Sequence, residues 1–492
     1  MFKVVSCALL LLVTLVSPSL CADNERPNVV IILADDMGYG DVNCFTPTKY
    51  RTPNLDKLAD SGMRLTSFYV SQPVCTASRA SLLTGCYANR VGLQGALNHT
   101  SRSGINPDEE LLPELLKARG YATGIFGKWH LGHRPKFHPF KHGFDEFFGL
   151  PYPNDCDNRY HPVVRTFPPL PLFDGEKVIA EDPDQSLFTQ QITQRSVDFI
   201  NRHQKEPFFL YVAHIMPHVP IFASKSFEGR SGAGLYGDVI EEVDWSVGEI
   251  VAALKRNGLT KKTLVVFSSD NGPFLSYGDH AGKSGPFRGG KLTCFEGGVR
   301  MPTIAAWPGA IPAPSTSDEI VTAMDVLPTI GKLTGMKLPD SKIDGQDVWP
   351  VLSGAPGARS PHEAFYYFAD NELHAVRQGR WKLHLAHPYL EVDGAPGTNR
   401  KPANFANMRP ESIQLSGLKG VASRHGYRIE QMPQSLFDLE SDVGEQNDVS
   451  AAHPEVVQQL LELAAEERAK LGDTLTGVKG SEARPAGVAA TP

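Results

Sequence analysis

The stretch Pro73-Val74-Cys75-Thr76-Ala77-Ser78-Arg79-Ala80-Ser81-Leu82-Leu83-Thr84-Gly85 sets a cysteine just before a run that reads as the start of a helix, with Ser78 and Arg79 one turn on. A helix N-terminus offers unpaired backbone N–H groups and a partial positive charge, so it suits an anion. Cys75 there reads in two ways. It is a thiolate nucleophile with a lowered pKa, or a small buried residue closing a helix end.

Four other sets of reactive residues follow apolar runs. Asp35 and Asp36 come after Asn28 to Leu33, and Lys128 and His130 after Tyr121 to Phe126. His214 and His218 come after Phe208 to Ala213, and Asp270 and Asn271 after Thr263 to Ser269. One polar residue at a strand end is usually a turn or cap. Four such pairs point to a shared site, because open α/β sheets bind ligands beyond the carboxyl ends of their strands. Asp35, Asp36, Asp270 and Asn271 offer only oxygen, the hard donor set for Ca²⁺ or Mg²⁺. The zinc-helix pattern His-Glu-x-x-His is absent.

The elements that must carry these residues alternate along the chain. Asn28 to Leu33 is continuous and β-branched, the pattern of a strand covered on both faces. Helices read from Thr52 to Gly62, from the Cys75 run, from about Glu109 to Arg119, from Leu187 to His203 and from Asp238 to Asn257. Repeated helix-then-strand order predicts an α/β fold with a mainly parallel sheet flanked by helices. Past Leu352 to Pro361, the strand Phe365 to Phe368, a hairpin turning at Gln378-Gly379, Leu436 to Leu439 and a helix Pro454 to Leu471 predict a smaller C-terminal α+β domain. The catalytic domain is expected over 23–368, the small domain over 369–478 and a disordered tail over 479–492. Tyr389 to Pro433 reads as a loop rich in Arg400, Lys401, Arg409, Lys419, Arg424 and Arg428. It is either a solvated insertion or a surface for anionic groups.

At 492 residues the chain can bury a large core, and a net charge of -7 leaves no footprint of nucleic-acid binding. Lys3, the apolar run Val4 to Val16 and Pro18 to Ala22 read as a signal peptide over 1–22, too short for a membrane span. Export in soluble form, periplasmic or secreted, is expected. Cys7 and Cys21 lie in that leader. Beside Cys75 this leaves Cys44, Cys86, Cys156 and Cys294, which form one or two disulfides or stay as free thiols.

The extended Cys75 motif resembles the active-site signature of the type I, formylglycine-dependent sulfatases. Asp35-Asp36, Gly127-Lys128-Trp129-His130-Leu131-Gly132, Ser269-Asp270-Asn271-Gly272, and Gly290-Lys291 ahead of Phe295-Glu296-Gly297-Gly298-Val299-Arg300 match the same family in order. The resemblance runs from about residue 26 to 470 and implies an alkaline-phosphatase-like fold. It implies one calcium ion, with magnesium as the alternative, bound by Asp35, Asp36, Asp270, Asn271 and residue 75. It also implies a formylglycine-generating enzyme as a partner, since in this family the cysteine becomes an aldehyde that hydrates to a geminal diol.

Roles carry over residue by residue. One hydroxyl of the diol attacks sulfur, Asp270 assists its deprotonation, and Arg79 orients it. Lys128 and Lys291 neutralise the sulfate oxygens. His218 protonates the leaving alcohol, and His130 is the base when the second hydroxyl expels sulfate. His214 is read as a substrate-binding residue beside them, and His133 as a structural or substrate-edge residue. Lys141 to Gly149 and Phe287 to Lys291 resemble the arylsulfatase A and N-acetylgalactosamine-6-sulfatase branch, which implies sulfated sugars as substrates. The alternatives are a phosphate or phosphonate ester hydrolase of related fold and a non-catalytic glycan-binding protein in which Cys75 stays unconverted.

Overall fold

Along Asn28–Ala34 the side chains alternate between two apolar cores, with Val29, Ile31 and Leu33 in one and Val30, Ile32 and Ala34 in the other. A period of two with both sets buried marks a strand deep in a sheet that is covered on both faces. In the computed structural model, which describes residues 26–161, 164, 166–398, 401–409 and 417–490, this strand pairs in parallel with Phe208–Ala213 and with Thr263–Ser269. The signal-peptide segment lies outside the described residues.

Ala122–Lys128 continues the parallel order beside Phe208–Ala213, and Glu146–Leu150 follows it. The sheet as a whole is mixed and has 11 strands. Arg300–Ala306 runs antiparallel between Thr263–Ser269 and Met63–Tyr69, and a hairpin of Pro171–Asp174 and Lys177–Glu181 closes the other edge. The helices Pro53–Asp60, Phe188–Arg202 and Leu235–Arg256 cover one face, through Leu55, Ile192 and Val243 among others. Cys75–Thr84, Leu112–Lys117 and Val326–Thr334 cover the other, through Leu83, Leu112 and Leu327. Gly127 has φ 120°, and a Cβ there would lie 1.8 Å from Ala213 O, so only glycine lets this strand run on to Lys128.

The small domain differs from the sequence reading in three places. Its antiparallel sheet begins with Phe365–Ala369, so the boundary at 368 falls inside a strand. The stretch read as a loop holds an antiparallel pair, His387–Val392 with Tyr427–Met432, and a helix, Gly417–His425. The expected disordered tail is instead seated: Gly487–Val488 pairs with Ser103–Gly104, and Arg484 Nε donates to Glu109 Oε1 at 2.7 Å. Cys44, Cys75, Cys86, Cys156 and Cys294 are free thiols, so the disulfide option is not taken up among the described residues.

A buried ionic knot joins the two domains. Lys382 Nζ lies 3.0 Å from Glu296 Oε1 and 2.7 Å from Glu445 Oε1, and donates to Cys294 O at 2.8 Å. Glu445 also accepts from Glu296 N at 2.7 Å and from His384 Nε2 at 2.8 Å. Burial, with the Glu296 charge adding to it, lifts Glu445 above the ordinary carboxylate range. Burial would raise Glu296 as well, but Lys382, Arg300 and Arg377 outweigh it and hold that carboxylate ionised. Removing the cation leaves Glu296 with the more distant Arg300 and Arg377, at 3.3 and 3.9 Å, and takes the donor from Cys294 O, whereas Glu445 can escape by protonation. Lys382→Ala is therefore expected to cost roughly 3–5 kcal/mol, read as a lower denaturant midpoint with the slope unchanged. A loss under about 1 kcal/mol, the scale of an exposed pair, would show that the knot is not stabilising.

Candidate active site

Past the carboxyl ends of the central strands, Asp35, Asp36 and Asp270 are all buried. Burial makes pairing obligatory, and each carboxylate has a cation from a different segment. Lys128 Nζ donates to Asp35 Oδ2 at 2.6 Å. Lys291 Nζ donates to Asp36 Oδ1 at 2.7 Å and Oδ2 at 2.9 Å. Arg79 Nε donates to Asp270 Oδ2 at 2.9 Å, with Nη1 donating to Lys128 O at 2.9 Å and Nη2 3.5 Å from Asp35 Oδ2. Asn271 Nδ2 donates to Asp36 Oδ1 at 2.7 Å. Asp36 sits at φ 66°, in the left-handed region, and its backbone N–H donates to Asp270 Oδ1 at 3.2 Å. That turn sends two consecutive carboxylates to the same site.

Cys75 is the first residue of its helix, and Gly85, at φ 70°, closes the other end. Its sulfur and carboxylate oxygens of Asp35 and Asp270 all lie within 4.8 Å of one another. Burial pushes the Cys75 thiol up, against the pull of Lys128 and Lys291. A nucleophilic thiolate needs the opposite shift.

Two of the three predicted histidines join this group. His218 Nδ1 is 2.6 Å from Val219 O; a carbonyl only accepts, so this nitrogen carries the proton and Nε2 is left bare, 3.7 Å from Asp36 Oδ2. His130, at φ 60°, donates Nε2–H to Leu97 O at 2.6 Å, and its buried Nδ1 has no hydrogen-bond partner. Burial, then the Lys128 charge, keeps His130 neutral. His214 belongs elsewhere. Its Nε2 meets Ser246 Oγ of the helix Leu235–Arg256 at 3.1 Å, and burial alone lowers its pKa, to about 4. The substrate-binding reading of His214 is therefore corrected to a packing residue on the far face of the sheet.

Two contributors were not legible from the sequence. The Leu97 carbonyl fixes the His130 tautomer, and the Ser269 hydroxyl accepts from Met37 N at 3.0 Å to hold the turn at Asp36. A backbone carbonyl carries no signature, while Ser269 was in view as the last residue of its strand. The donor set fits a hard divalent cation. Asp35 Oδ1 and Asn271 Oδ1 are buried oxygens without a hydrogen-bond partner, beside three carboxylates.

The family model described as Sulfatase matches residues 27–336, and the model described as C-terminal region of aryl-sulfatase matches 360–484. The N-acetylgalactosamine-6-sulfatase of Sus scrofa is 39% identical over 460 residues, covering 89% of this chain and 84% of its own. Arylsulfatase A of Homo sapiens is 37% identical over 463 residues, covering 89% and 87%. The crystal structure of the PsFucS1 sulfatase from Pseudoalteromonas sp. gives a TM-score of 0.78 at 27% identity, covering 94% of this chain and 92% of that one. A match that runs through both domains assigns the chain to the sulfatase family, the hydrolases of sulfuric esters.

Proposed function

We propose that this sulfatase cleaves sulfate monoesters of carbohydrates, with formylglycine made from Cys75 and one Ca²⁺ held by Asp35, Asp36, Asp270, Asn271 and residue 75. The observation that carries the reading is residue 75 at a helix N-terminus, its sulfur within 4.8 Å of the Asp35 and Asp270 carboxylates. Similarity to an N-acetylgalactosamine-6-sulfatase supports a sugar substrate. The apolar run Val4 to Val16 after Lys3 supports export, periplasmic or secreted; no helix among the described residues is long and apolar enough to cross a membrane. Conversion calls for a formylglycine-generating enzyme as the maturation partner.

The chain's own residues divide the work. Lys128 and Lys291 pair with the anionic oxygens of the ester, the electrostatic contribution that usually dominates. Arg79, tied to Asp270 and Lys128 O, keeps residue 75 oriented. Asp270 takes the proton released at residue 75. His218 Nε2, bare in this tautomer, has to take up a proton before it can pass one to the departing alcohol oxygen. His130 Nδ1, unpartnered and unprotonated, accepts a proton when sulfate leaves. A hard cation here polarises the sulfuryl oxygens, and a hydrated aldehyde supplies two hydroxyls on one carbon.

Three outcomes are expected. Mass spectrometry of the tryptic peptide bearing residue 75 shows formylglycine when a converting enzyme is present, and Cys75→Ala lowers turnover about 10⁴-fold or more with the fold retained; wild-type turnover in that variant contradicts the scheme. Protein stripped by a chelator gains thermal stability when Ca²⁺ is restored, by about 2.7 kcal/mol at one hundred times Kd, and Asp270→Asn removes the gain. An unchanged melting curve argues against the cation site. On a panel of sulfated sugars, phosphate monoesters and phosphonates, sulfate is released fastest; preferential release of phosphate reverses the assignment.

A further inference from the structure

Beyond the charge cluster, rings of two domains touch in one continuous arc. On the catalytic-domain side, His133 lies 5.7 Å from Tyr152, Tyr152 lies 6.5 Å from His99, and His99 lies 4.8 Å from Phe167 (ring centroids). Phe167 lies 5.2 Å from His161, which lies 5.5 Å from Phe405 of the C-terminal insertion. Phe405 lies 5.8 Å from Tyr277, whose hydroxyl is 2.7 Å from His425 Nδ1. His425 lies 5.0 Å from Phe274, and Lys291 Nζ stands 4.9 Å over that same ring. The first end, His133, stands three residues after His130 in the chain, and the His130 partner, Leu97 O, lies two residues before His99, the third ring. The other end is anchored at Lys291, which is paired to Asp36.

Members of the arc also sense the site electrostatically. The charges of Lys291 and His218 act on His425, that of Asp36 acts on Tyr277, and that of Lys128 acts on Cys156 beside His99. Burial differs along the arc in a useful way. His99, His133, Phe167 and His425 are partly exposed, while Tyr152, His161, Phe405, Tyr277 and Phe274 are buried. Flat rings backed by a rigid layer suit the C–H faces of a pyranose, and ring nitrogens suit its hydroxyls.

We propose that this arc is the sugar-binding wall of the site, taking a hexose or hexosamine ring whose sulfate lies at residue 75, with His425 of the insertion as its specificity-determining residue. The wall recognises a ring that is uncharged apart from its sulfate. Burial holds His99, His133 and His425 below the ordinary imidazole range, so all three are neutral near pH 7. Several bases of the insertion are already engaged: Lys401 with Asp393, Arg428 Nε with Glu430 Oε1 at 2.7 Å, and Arg409 Nη1 with Met408 O at 2.7 Å. Arg424 is the insertion's base whose charge reaches Tyr277 and His425.

This inference rests on the sulfatase reading, but binding tests it without turnover. In the Cys75→Ala background, calorimetry with N-acetylgalactosamine 6-sulfate and with inorganic sulfate gives a ratio of affinities that isolates the sugar contribution. His425→Ala is expected to cut that ratio about tenfold, the loss of one hydrogen bond and one stacked ring face. His425→Phe, which keeps the flat face, recovers part of it. A ratio that stays within about twofold in His425→Ala, or affinities that fall equally for both ligands, overturns the proposal. Replacing the probe by a uronate-bearing disaccharide sulfate is expected to weaken binding; a gain overturns the neutral-ring assignment. Failure of the sulfatase reading looks different: wild-type enzyme releases no sulfate from any ester, while the binding ratio and its dependence on His425 persist.

Discussion

Burial of three carboxylates within a few ångströms of one another is the constraint to which the rest of the molecule answers. Asp35, Asp36 and Asp270 can share a dry site only because Lys128, Lys291 and Arg79 stand against them one for one. The strand order follows from this. Asn28–Ala34 and Thr263–Ser269 must be neighbours to bring Asp35 and Asp270 together, and Ala122–Lys128 must end level with them to deliver Lys128. A divalent cation held by these carboxylates would compete with Lys128 and Lys291 for them, and would leave both lysines free to meet an anionic ester.

The central strands and the polar residues at their carboxyl ends were legible because their chemistry is local. Asn28–Ala34, Phe208–Ala213 and Thr263–Ser269 are apolar runs buried on both faces, and each shows its polar residues at a sharp stop. Met63–Tyr69 carries Arg64 and Thr66 on a half-exposed side near the sheet edge, so it lacks that continuity, and its antiparallel pairing with Arg300–Ala306 depends on residues far away in sequence. His214 shows a second limit. It follows its strand as directly as Asp35 follows its own, but side chains alternate between faces, and the apolar run does not say which face a terminal residue takes. The seated chain end was hidden for a similar reason: Arg484 and Gly487 gain their partners, Glu109 and Gly104, only through the folded catalytic domain.

The insertion shows how composition can mislead. A basic, loop-like stretch reads as a solvated or anion-seeking surface, yet Phe405, Met408, Ala422 and Tyr427 bury themselves in the same core as the catalytic helices. Two of its bases, Lys401 and Arg428, are ion-paired, and its apolar side chains pack into the catalytic domain.

The ionic knot adds a temporal dimension. Lys382 holds Cys294 O and Glu445 holds Glu296 N, on the C-terminal side of the segment that carries Lys291, and Leu292 N in turn donates to Pro73 O at 2.9 Å, just ahead of Cys75. Asp370 O likewise accepts from Gln72 and Asn89, at 2.9 Å each. These late-emerging groups close over a side chain that is 2% exposed once folding is complete. On the proposed conversion, an enzyme acting on Cys75 would have to reach it before these groups close over it.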